Sequence, residues 1–343
     1  MKAQLLPFSF QLTPIIMLNF KKLFEVLKDT FTGFLEHKIL KMSASLSYTT
    51  VFSMAPLLLV ILYLFEYFFN REALEGVIFS QAKEYIGTNA ALQVQTMIKQ
   101  LSLSQKGSFA GTFGIITLLV GATSVFAEIQ DSINTIWGIR PKIKSGFLLY
   151  LKSRLLSFGV IGSLGFILLV SLGFSSILEY LKSELFVNLS TTGSLLFSIT
   201  DFTITALIIT LLFGSIFTIL PDAEISWKQV KVASITTTIL FMIGKYVISY
   251  YISNSNVSSA YGAAGSFVVL MLWVYYSSVI LYFGAEFSKC YAVKFSKSIV
   301  PSEFAEIVQS VEISSNTETI EEAIEEKKEI KKVEDIINNS THN

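Results

Sequence analysis

The stretch YGAAGSFVVLMLWVYYSSVILYFGAEF (261–287) decides the fold. From Gly262 to Ala285 it holds no charged side chain, and its apolar residues run continuously instead of alternating. An α-helix rises about 1.5 Å per residue, so about 20 such residues cross a ~30 Å hydrocarbon layer. A strand of a membrane barrel would alternate apolar and polar positions over about ten residues, and this stretch does not. It reads as a spanning helix over 262–288. Five further stretches are long and apolar enough, at 44–69, 108–128, 154–178, 194–220 and 231–253. The one at 108–128 is rich in Gly and Thr, which suits a membrane helix because small residues let backbones approach. The expected fold is an all-α membrane protein, a bundle of about six transmembrane helices.

Composition agrees. Of all residues 52% are hydrophobic and only 15% charged, whereas a soluble domain carries about a quarter charged residues. The 43 residues of 301–343 hold 15 of the 52 charged side chains, so the rest of the chain has too few to cover a water-facing surface. Net charge is zero, which provides no basic excess for phosphate contacts and argues against a nucleic-acid partner. Cys290 is the single cysteine and His37 and His342 the only histidines, so no cofactor or metal centre is expected.

Lys and Arg in the connections set the orientation. One side collects 16 (six before the first span, five around 140–154, Lys228 and Lys231, and three at 289–297); the other has 5. Both termini are expected in the cytoplasm, and the protein in the bacterial inner membrane.

Three regions follow: an N-terminal segment 1–41, the spanning domain 42–295 and a tail 296–343. In FKKLFEVLKDTFTGFLEHKIL (20–40), Phe20, Leu23, Phe24, Leu27, Phe31 and Leu35 share one helical face and Lys21, Lys22, Lys28 and Asp29 another. This is the pattern of an amphipathic helix in the membrane interface, or of one packed on the protein's own loops. Pro7, Pro14 and the lack of a small-residue cleavage site argue against a signal peptide, and either Met1 or Met17 could be the start. Segment 70–107 is the one long external loop. The acidic tail reads as solvated and disordered.

Four segments together resemble the YihY/BrkB family of bacterial inner-membrane proteins, long filed as ribonuclease BN. They are SASLSYTTVFSMAPLLLVILYLF (43–65), DSINTIWGIRPK (131–142), ILPDAEISWKQV (219–230), and GKYVISYYISN (244–254) with the closing stretch quoted first. The resemblance covers roughly 20–295 and implies six inner-membrane helices. It implies no agreed activity: members are described as transporters and as envelope or virulence factors. A zinc-dependent ribonuclease needs several His and Asp ligands, which two histidines cannot supply, so the nuclease reading is rejected.

Ionisable groups at membrane depth are costly and mark either pathways or structural pairs. Asp201 and Lys245 fall at similar depth, with Glu66 as a competing partner for Lys245. They form either a polar site lining a pathway or an ion pair fixing helix register. Glu286 closes the last span near Lys289, as an interfacial carboxylate or one lining a cavity. Glu128, Asp131, Asn134, Trp137 and Arg140 form a candidate cytoplasmic-loop motif whose plain reading is a lock on that loop. Tyr261, Gly262 and Gly265 sit in an external turn that is either a simple connection or a segment over a cavity mouth. Pro56 can kink the first span.

No HExxH or intramembrane Ser/His pair is present and the protein is not expected to be an enzyme; with no nucleotide-binding GxxxxGK[ST] loop, any transport is expected to be secondary, passive or coupled to a partner. The first functional reading is a transporter or flippase of an amphiphilic envelope molecule, a lipid or lipid-linked precursor. The alternative is a non-transporting envelope scaffold or assembly factor. Expected partners are membrane lipids, with envelope proteins reaching loop 70–107 or the acidic tail. Oligomeric state does not follow from the sequence.

Overall fold

The computed structural model describes residues 13–65, parts of 75–99, 108–142, 191–254, 261, 264–295, 299–308 except 304, and Glu322. Side chains of 13–20, 55–65, 108–120, 191–198 and Asp201 lie outside that set. So do the expected span 154–178, most of loop 70–107, Glu66, Gly262 and nearly all of the tail.

The described chain is mostly helical. Its helices are α1 (Thr13–Glu36), α2 (Ile39–Phe65), α3 (Ser108–Trp137), α4 (Thr191–Ile219), α5 (Trp227–Asn254) and α6 (Gly265–Phe295). Among the described residues three stretches are long and apolar enough to cross a membrane: 202–219, 227–252 and 267–295. Helix α6, at 31 residues, is about 46 Å long, more than a hydrocarbon layer requires. Helix α1 packs along the last turns of α6.

The helices outrun the apolar stretches that mark them in the sequence, α3 furthest and α6 next, the latter continuing past Glu286 to Phe295. The second expected span stops at 128, where charges begin, but α3 continues to Trp137. It does so because Ile129, Ile133, Ile136 and Trp137, at helical spacing, are all buried, so the helix turns amphipathic without ending. Gly138 (φ 68°) ends it in the left-handed conformation that glycine adopts without strain, and its N–H donates to Thr135 O at 3.1 Å. Helix α5 starts with a capping box. Ser226 Oγ and N both lie within 2.9 Å of Gln229 Oε1, three residues on. Between α1 and α2, Lys38 takes φ 53° and makes an elbow.

Two short ribbons are not foreseen by the hydropathy reading. Strand β1 (Ile139–Pro141) pairs antiparallel with β4 (Ala305–Ile307), and β2 (Ala223–Glu224) with β3 (Val300–Pro301). The start of the expected tail thus folds back on the turns that follow α3 and α4. Two compact units result, residues 1–307 and 308–343.

The main core lies at the end of the bundle that carries these ribbons. Ile39 and Leu46 of α2, Ile133 and Ile136 of α3, Phe213 and Phe217 of α4, Val230 of α5 and Tyr282 and Ala285 of α6 meet there. A smaller cluster of Val51, Val94, Val269 and Leu270 sits towards the other end. Helices α5 and α6 approach closely through small residues. A Cβ on Gly284 would overlap Thr237, and one on Gly244 would come within 2.7 Å of both Ile280 Cδ1 and Tyr276 Cε1. Several hydroxyls in this interior bond locally or with a neighbour: Thr237 donates to Ala233 O, Ser278 to Val274 O, and Thr210 to Thr238 at 3.0 Å.

Candidate functional site

The densest polar chemistry lies at the ribbon end, in two groups. The first is built around Asp222, in the turn between α4 and β2. Its carboxylate accepts from Asn134 Nδ2 at 2.8 Å and Gln130 Nε2 at 3.1 Å. Its own N–H donates to Asn134 Oδ1 at 2.9 Å, so Asn134 and Asp222 exchange two bonds. Its carbonyl accepts the N–H of Ser302 at 2.9 Å. One residue thereby joins α3, the α4–α5 turn and the start of the tail. Gln130 and Asn134 reach it together because they are one turn apart on α3.

The second group clasps α6. Trp137 Nε1 donates to Ala285 O at 3.0 Å, and Lys289 Nζ donates to Ile136 O at 2.8 Å, satisfying an open carbonyl in the last turn of α3. Glu286 is almost fully buried, with 2% of its side chain exposed. His37 Nδ1 stands 2.9 Å from its Oε2 without the alignment of a hydrogen bond, and Lys289 Nζ lies 3.5 Å from Oε1. Gly33 leaves the space Glu286 fills, because a Cβ there would overlap the carboxylate. Further along α1, Lys294 binds Glu25 at 2.6 Å and lies 3.8 Å from Asp29. The Lys294 ammonium holds the Glu25 carboxyl below the usual carboxylate range.

The residues expected from sequence are placed unequally. Asn134 and Trp137 are buried and bonded across the bundle, to Asp222 and Ala285. Glu128 is half-buried and Asp131 exposed, and neither makes an ion pair among the described residues. Arg140 is exposed on β1, where it faces Glu306 in register rather than Glu128 or Asp131. Glu286 has Lys289 beside it as expected, together with His37. Lys245 is half-buried on α5. Asp201 lies on α4 with its side chain outside the described set, and Glu66 and Gly262 lie outside it entirely, so no geometry for these groups is drawn. Tyr261 is exposed, and its carbonyl accepts from Ala264 N at 3.1 Å, just ahead of Gly265, the buried first residue of α6.

Sequence reasoning passed over Asp222, Gln130, His37 and Gly33. A signal existed for Asp222, in the Leu-Pro-Asp turn already quoted. None existed for His37, because its partner is 249 positions away in the chain.

Comparison with known proteins gives the context. The sequence pattern of the family described as Virulence factor BrkB matches residues 30–303. A UPF0761 membrane protein of Ralstonia nicotianae is 25% identical over 256 residues, 73% of this chain and 55% of its own length. A UPF0761 membrane protein of Haemophilus influenzae is 28% identical, over 74% of this chain and 90% of its own length. YfkH of Bacillus subtilis, named as a ribonuclease-like protein, is 26% identical over 76% of this chain and 92% of its own. The chain spans little more than half the length of the Ralstonia relative. No solved structure matches. A match over four-fifths of the chain, carried by apolar helices of membrane-crossing length, places it: the chain belongs to the Virulence factor BrkB family of membrane proteins.

Proposed function

We propose that this is a six-span protein of the bacterial inner membrane, with both termini in the cytoplasm, that moves an amphiphilic envelope molecule (a lipid or lipid-linked precursor) without chemically altering it. The observation that carries this reading is the apolar face that α4 and α5 expose around Lys245. The ribbon end, which the basic connections assign to the cytoplasm, holds the main core, the Asp222 knot and the α6 clasp. Towards the other end, α4 and α5 expose Ile199, Phe202, Ile243, Tyr246 and Tyr250, with Lys245 half-buried among them in sequence. An apolar face of this kind suits a ligand with acyl chains. A cation at membrane depth suits an anionic head group. The exposed apolar stripe of α1, Phe24, Phe31 and Leu35, with Lys21, Lys22 and Lys28 also exposed, supports its lying against the bilayer surface.

Two measurements test this. A reporter active only in the cytoplasm should be on when fused after residue 297 or within 221–229, and off within 80–105 or 182–192. Any reversed site removes a span from the count. In liposomes, the pure protein should speed transbilayer movement of a fluorescent anionic phospholipid. Lys245→Met should slow it about tenfold, the scale of one charge-assisted contact, while Lys245→Arg retains it. Movement no faster than in protein-free liposomes would sink the transport reading and favour the envelope scaffold.

A further inference from the structure

We propose that His37 and Glu286 form a proton-operated latch that holds the α1–α2 elbow against α6 and releases it as pH rises through neutrality. Glu286 is buried, with Gly33 of α1 pressed against its carboxylate on one side. A buried carboxylate is stable only while its charge is matched. Two basic side chains face it. Lys289, on its own helix, stands 3.5 Å from Oε1, but its ammonium is shared with Ile136 O at 2.8 Å. His37 comes from the elbow just past the end of α1, 2.9 Å from Oε2, and is the basic side chain that ties that elbow to this carboxylate among the described residues. Cys290 completes the surroundings, with Sγ 3.8 Å from Oε1.

The position of His37 gives it leverage. It is the last residue before Lys38, whose φ of 53° makes the elbow, and its N–H donates to Gly33 O at 2.9 Å. Loss of its contact with Glu286 therefore frees the end of α1 and the start of α2 from that anchor. Exposed to one-quarter, the ring can exchange protons with water. Imidazole is the side chain whose charge ordinarily changes near neutral pH. Charged, it faces Oε2 with a full positive charge. On losing that proton it leaves the carboxylate to Lys289 alone, and the attraction across the interface falls.

The other ties between α1 and α6 do not titrate in that interval. Lys294 holds Glu25 and Asp29; carboxyls and lysines ordinarily titrate far from neutrality, and Glu25 is held lower still. The remaining described contacts are a bond between the Cys290 thiol and Thr30 of α1 and apolar packing: Val26 packs with Phe287, and Phe31 and Phe34 meet Phe283 with ring centroids 5.4 and 6.2 Å apart. These keep α1 attached enough for the change to be a partial, reversible loosening.

Cys290, the only cysteine and half-buried beside the latch, reports on it in the native chain. The full protein in phosphatidylcholine/phosphatidylglycerol nanodiscs is labelled with a maleimide, and each rate is divided by that of the same chain denatured at the same pH. From about pH 5.5 to about pH 7.5 the wild-type ratio should rise about fivefold, the scale of a partly exposed ion pair. His37→Gln should show the high ratio at both values. His37→Lys, charged throughout, should show the low ratio at both. A wild-type ratio that does not change with pH, or a His37→Gln protein that follows the wild type, would overturn the latch. Size-exclusion profiles matching wild type certify that each variant is folded when it is read.

Discussion

Gly284→Val should remove most of the folded protein from detergent extracts. A Cβ at 284 would overlap Thr237 Oγ1 and come within 2.8 Å of Cγ2 and 3.0 Å of Cβ. Thr237 has no room to yield. It is fully buried, β-branched and therefore stiff about χ1, and its hydroxyl is bonded to Ala233 O at 2.7 Å. Helix α5 would have to move away from α6, opening the Gly244 approach to Tyr276 and Ile280 and the Phe241–Trp273 contact (centroids 6.3 Å apart). Between helices in lipid, close packing supplies much of the association energy, because hydrocarbon competes for apolar surface as well as leucine does. Overpacking of this kind costs about 3 kcal/mol. Thr237→Ala in the same chain removes the two nearest obstructing atoms and should restore more than half of the loss. A thermal unfolding midpoint unchanged by Gly284→Val would mean that the two helices are not this close.

Asp222→Ala should be nearly as damaging, for a different reason. It removes no buried volume of consequence but leaves Asn134, itself buried, with an unpaired amide, and frees Gln130. Each buried polar group left without a partner costs about 1–3 kcal/mol, and the acceptor here is a carboxylate. The midpoint of thermal unfolding in detergent should fall clearly, and β3 should lose its register because the Ser302–Asp222 bond depends on the same turn. Asn134→Ala should cost a similar amount, and the double variant little more than either, with a coupling above about 1 kcal/mol. Additive losses would show that the pair contributes nothing jointly. Asp222→Asn keeps one acceptor oxygen and should fall between.

Both effects concern contacts that local sequence does not announce. The spanning helices were legible because a bilayer imposes a length and a polarity on each one independently, and α4, α5 and α6 can be read without reference to neighbours. Their true ends were less legible. Hydropathy loses α3 at Glu128, whereas one-sided burial of Ile129, Ile133 and Ile136 carries it to Gly138. The Ser226–Gln229 box and Gly138 are local devices and could have been read from spacing alone. The ribbons could not, since β1 and β4 are joined by 163 intervening residues.

For the candidate site the division is the same. The sequence alone determined that the chain is a helical membrane protein of this family and that Asn134 and Trp137 lie near a helix end where polar groups need partners; Glu286, expected to close the last span, lies inside α6, which runs on to Phe295. Those are properties of residue type and of position along one helix. The tertiary structure decided which partners those are: Asp222 for Asn134, Ala285 O for Trp137, and His37 for Glu286. Each partner comes from a different element, and a hydrogen bond or ion pair acts only within a few ångströms. Chain spacing therefore carries no information about it until helix packing has brought the elements together.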